Sequence, residues 1–84
     1  MGSKEMLATW RRLVGLPDTA AVEAAVKKLS KENLAEMLVW NDPQSEYLDR
    51  IEDLTKQEAV EDAVRVVTSI WDGFARFKTK PSWL

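Results

Sequence analysis

An all-α fold, a compact bundle of four or five short helices around one long helix near the C-terminus, is what this 84-residue sequence predicts. Three observations carry the prediction. Apolar residues recur at spacings of three and four along most of the chain. Glycine and proline number three each, and Gly15, Pro17, Pro43 and Pro81 fall where helix boundaries are expected. No segment of useful length alternates with period two, and Val64-Arg65-Val66-Val67 lies inside a stronger helical pattern.

The first helix is predicted over about 4–14. Met6, Leu7, Trp10, Leu13 and Val14 form one apolar stripe, with Arg11 and Arg12 off it. Gly15 supplies a stop and Pro17 prevents continuation. Asp18 or Thr19 caps a second helix over about 19–29, with Val22, Val26 and Leu29 inward and Glu23–Lys27 as an i,i+4 pair. Ser30 caps a third over about 31–41, lined by Leu34, Met37 and Leu38, with Trp40 near its end. The second and third could also be one bent helix. Asp42-Pro43 reads as a cap followed by proline at the first helical position. It predicts a fourth helix over about 43–54 with Tyr47, Leu48, Ile51 and Leu54 inward.

Thr55-x-x-Glu58 matches a capping box and opens the longest helix, about 56–77. Val60, Ala63, Val67, Ile70, Phe74 and Phe77 form its seam, and Ala59, Val64, Val66 and Trp71 widen the apolar arc to about 180°. An arc that wide suits either the centre of a bundle or a helix that also packs on another molecule. Pro81 ends the helical run, leaving 78–84 as a C-terminal tail on a single domain spanning 1–84.

Composition excludes several chemistries. With no cysteine there are no disulfides, thiolate metal sites or thiol nucleophiles. With no histidine the commonest general base and metal ligand is missing. No apolar run approaches the roughly 18 residues of a membrane span. The N-terminal Lys4 and Glu5 interrupt any signal-peptide-like stretch, so a cytoplasmic protein is expected. Helical spacing pairs Glu32 with Glu36, Asp49 with Asp53 and Glu58 with Asp62. Such pairs arise readily on a polar helix face and form no calcium loop, phosphate loop or nucleophile elbow. The expectation is a non-enzyme without cofactor or metal.

The net charge of −2 hides a partition. Residues 1–41 balance at +1, 42–62 at −6 and 63–84 at +3. The middle of the chain is therefore acidic. It is either a solvated face or a surface for a basic partner.

The expected function is a non-catalytic protein–protein interaction module, a small adaptor, regulator or inhibitor that occludes a partner protein. An apolar anchor excludes water while acidic rim residues orient a basic partner surface. Trp83, Leu84 and Phe77 are the candidate anchor, and Glu46, Asp49, Asp53 and Glu61 the candidate rim. Trp83 also has a second reading, folded back over the open end of its own core. A different class of function, a helix-turn-helix-like DNA-binding regulator, would use Arg11, Arg12, Lys27, Lys28 and Lys31. The pI of about 5.1 and the carboxylates Glu32 and Glu36 on its recognition helix oppose that reading. A third is a self-assembling subunit with the long helix as a homotypic seam.

Overall fold

The computed structural model describes residues 3–79 and 81–84, so Lys80 and the first two residues lie outside it. Four α-helices and one 3-10 helix make up its regular structure: α1 (Ser3–Val14), α2 (Thr19–Lys27), α3 (Lys31–Asn41), the 3-10 helix (Tyr47–Asp53) and α4 (Lys56–Phe77). There is no strand among the described residues. The chain forms the expected all-α bundle around the long helix.

The starts of α2, α3 and α4 are each fixed by a side chain that satisfies an orphan backbone N–H. Asp18 accepts from the Ala21 amide at 2.8 Å and Ser30 from the Asn33 amide at 3.1 Å. Thr55 and Glu58 form both halves of the capping box. Ser30 therefore separates α2 from α3, and α2 ends two residues earlier than expected, at Lys27.

The fourth element corrects the sequence reading. Asp42-Pro43 does not begin an α-helix. The Asp42 carboxylate instead accepts from the Gln44 amide at 3.2 Å, and its carbonyl accepts from Ser45 N–H at 2.9 Å. These bonds close a turn, and Ser45 Oγ accepts from the Tyr47 amide to lead into the 3-10 helix. The tighter winding changes which residues face inward. Tyr47 and Leu54 are buried, whereas Leu48, expected inside, is 45% exposed.

The packing centres on α4, which lies against α1, α2 and α3. Its innermost line is Ala59, Ala63 and Val67, one residue round from the expected seam at Val60. Two alanines at i,i+4 allow the neighbouring backbones close to the axis. Trp10, Leu13, Val22, Val26, Leu34 and Met37 fill the space around them, all with negligible exposure. A smaller cluster of Ala35, Leu38, Tyr47 and Leu54 seats the 3-10 helix on α3. Phe77 was also expected on the seam but is 72% exposed. The 22 residues of α4 span about 33 Å against about 18 Å for the 12 of α1, so its last turn outruns the helices that cover it.

Two long-range hydrogen bonds tie these parts together. Trp71 Nε1 donates to the Leu16 carbonyl at 2.8 Å, pinning α4 to the α1–α2 loop. Lys31 Nζ donates to the Leu54 carbonyl at 3.1 Å, joining the start of α3 to the end of the 3-10 helix.

Candidate functional site

The C-terminal segment turns back onto the bundle. The Trp83 ring meets Trp10 edge-on at a centroid distance of 5.0 Å and Trp40 at 6.3 Å. These separations lie within the favourable range for edge-to-face aromatic pairs. The indole N–H groups of Trp10 and Trp40 are buried without an acceptor. Each such donor costs on the order of 1–3 kcal/mol.

Trp83 thereby becomes one wall of an open groove of about 690 Å³, lined by Met6, Glu36, Val39, Trp40, Pro43, Leu48 and Trp83. The elements dictate this lining. Val39 and Trp40 come from the last turn of α3, and Pro43 from the turn that Asp42 closes. Met6 comes from the start of α1, and Leu48 from the 3-10 winding that turns it outward. Six of the seven lining residues are apolar, and Glu36 is the ionisable one. The volume falls within the range of small-ligand and side-chain pockets. Glu46 and Asp49 are exposed near Leu48 in the sequence, while the exposed Asp42 borders a separate polar cavity.

The predicted site residues are only partly brought together. Trp83 lies in the groove, and Glu46 and Asp49 are exposed near Leu48 in the sequence without being part of its lining. Leu84 occupies a separate cavity of about 270 Å³ with Arg11, Val14, Gly15 and Phe74. Phe77 stands exposed at the end of α4. Asp53 is exposed at the end of the 3-10 helix. Glu61 belongs to another face, where it accepts from Gln57 Nε2 at 3.4 Å and borders a cavity with Glu23 and Lys27. Met6, Val39, Trp40, Pro43 and Leu48 were missed as site residues. An α-helical reading of 43–54 hides the signal, because it turns Leu48 inward.

A second, polar cluster lies on the opposite side of the 3-10 helix. Tyr47 Oη donates to Asp62 Oδ2 at 3.0 Å, and Arg65 pairs with the other oxygen of that carboxylate. Burial, reinforced by this hydrogen bond and the Asp62 charge, pushes the Tyr47 phenol up to about 12. Asn41, Asp42, Ser45 and Arg50 complete the rim of the shallow cavity there. Among the described residues no group of three or more carboxylates converges as a metal site would require. No described helix is long and apolar enough to cross a membrane.

Two of the five basic residues of the DNA-binding reading are engaged within the fold. Lys27 pairs with Glu23 at 3.1 Å, and Lys31 bonds the Leu54 carbonyl. No protein-family model matches the chain, and no curated protein or solved structure is significantly similar to it.

Proposed function

We propose that this chain is a non-catalytic protein-binding module whose working surface is the groove between α1, α3 and the 3-10 helix. One observation carries the reading: an open, almost wholly apolar groove that includes Glu36, and Leu48 from the acidic 42–62 stretch, on a domain whose other large side chains are mostly packed away. A contiguous apolar surface held open by a turn and a 3-10 helix is the kind of patch that marks an interaction or ligand-binding site. The groove has room for one or two large side chains. Glu36 and the acidic residues of the 42–62 stretch select among segments that could supply them, favouring an aromatic or leucine anchor flanked by lysine or arginine. Occupying the groove would block the partner's own surface around that anchor, which is how an adaptor or inhibitor of this size acts.

Isothermal titration calorimetry with designed peptides tests this. The basic probe carries one tryptophan between lysines, and its counterpart carries glutamates in their place. The native protein is expected to bind the basic peptide and to ignore the acidic one. Leu48→Glu, at a position already 45% exposed, should retain the fold and weaken binding about tenfold or more. Equal binding of the basic peptide by native protein and Leu48→Glu would remove the groove from consideration.

A further inference from the structure

We propose that the groove also takes a second copy of this chain, with Phe77 of one molecule seated in the groove of the next. This rests on the groove being a protein-docking site, as argued above. Among the described residues, Leu48 and Phe77 are the two large hydrophobic side chains that stand exposed, at 45% and 72%. One belongs to a receptor and the other has the form of an anchor. Leu48 lines the concave groove, whereas Phe77 is the last residue of α4 and stands exposed there.

Their electrostatic surroundings are complementary. Phe77 sits between Arg76 and Lys78, both exposed. The cavity beside the preceding turn of α4 is lined by Arg11 together with Phe74, so the end of α1 adds its charge there. Asp72 pairs with Arg76 at 2.8 Å and offsets its charge, so Lys78 and Arg11 carry the positive balance there. On the groove side, Glu36 is part of the lining, and Glu46 and Asp49 stand exposed near Leu48 in the sequence. An aromatic anchor with basic neighbours thus faces an apolar groove with acidic neighbours, the pairing that steers association and fixes register.

A molecule cannot satisfy itself in this way. Met6 lies at the groove and Val14 beside Phe74, eight residues or about 12 Å apart along α1. Phe77 is a further turn along α4, on a helix end closed by the backbone bonds of Lys78 and Thr79 to Phe74 and Gly73. The contact is therefore between molecules and joins two different patches. Repetition extends it into a chain, or closes it into a ring if the rotation allows. This differs from a seam of two α4 helices, whose inner face is occupied by α1, α2 and α3.

Sedimentation equilibrium over a dilution series is the test, on native protein, Phe77→Ser, Leu48→Glu and an equimolar mixture of the two variants. Both substitutions are at exposed positions, and circular dichroism checks that each variant is folded. Native protein should gain mass with concentration, less so at high salt. Each variant alone should associate about tenfold more weakly or not at all. The mixture should form a one-to-one pair that grows no further, because it holds one intact groove and one intact anchor. A native monomer at every concentration, or a mixture no more associated than its components, overturns the proposal. If the native protein is monomeric while Phe77→Ser still binds the basic peptide, the groove remains a docking site and only the second copy is lost. If Leu48→Glu matches native protein in both assays, the groove reading falls and takes this proposal with it.

Discussion

At the scale of single residues, Tyr47 links fold and pH most directly. It is buried with 8% exposure, and its phenol donates to a carboxylate that also holds Arg65. Burial and that hydrogen bond favour the protonated form, so the folded value lies near 12 against 10.0 for the free side chain. Between those values the unfolded chain has released the proton and the folded chain keeps it. Stability from this group is therefore complete below pH 10 and lost as pH rises through about 12. Urea denaturation at pH 9 and pH 11 should show the loss, and Tyr47→Phe should reduce the difference. An unchanged pH slope in Tyr47→Phe would assign the alkaline sensitivity to other groups. Because this is the only tyrosine in the chain, its phenolate absorbance also gives the titration without deconvolution.

At the scale of elements, the capping residues made most of the architecture legible. The predicted bounds of α3 and α4 match the structure, because Ser30 and Thr55 each satisfy a specific backbone donor. Asp42 was misread because its carboxylate can cap a helix or close a turn with equal chemistry, and the local sequence does not decide between them. Tertiary burial of Tyr47 and Leu54 selects the turn and the 3-10 helix. The C-terminal end of α4 holds a further local cost. Lys78 closes it in the left-handed conformation, with φ 54°, which side chains other than glycine adopt at a penalty. Lys78→Gly should raise stability by about 0.5–1 kcal/mol, measured by chemical denaturation. A loss of that size would mean that the Lys78 side chain makes a contact worth more than the strain.

At the scale of the whole molecule, the sequence contained the site in pieces that only the fold assembles. Trp83 was legible as either anchor or core, and its place shows why both readings arose: one side of the ring meets Trp10 while the other forms groove wall. Met6 carries no signal beyond that of an ordinary stripe residue and Val39 lies off the apolar stripe of its helix, since a groove between three elements has no local sequence pattern. Glu61 and Asp53 were grouped with Glu46 and Asp49 because net charge per segment ignores which helix face a residue occupies. The position of Trp83 also predicts its energetic weight. Trp83→Ala should cost about 2–3 kcal/mol, or about 10–20 °C in melting temperature for a domain of this size. A thermal melt checks this, and a shift of only a few degrees would show that the ring decorates the core without supporting it.

The three indoles joined by Trp83 have a further consequence, in how the molecule handles light. Rings 5.0 and 6.3 Å apart are close enough to pass excitation among themselves before they emit. Trp10, sealed from solvent at the centre of the bundle, therefore shares its excited state with two residues that form groove wall. Whatever lies against Trp40 or Trp83 alters the decay of all three, so a residue that no occupant of the groove can touch takes part in reporting its arrival.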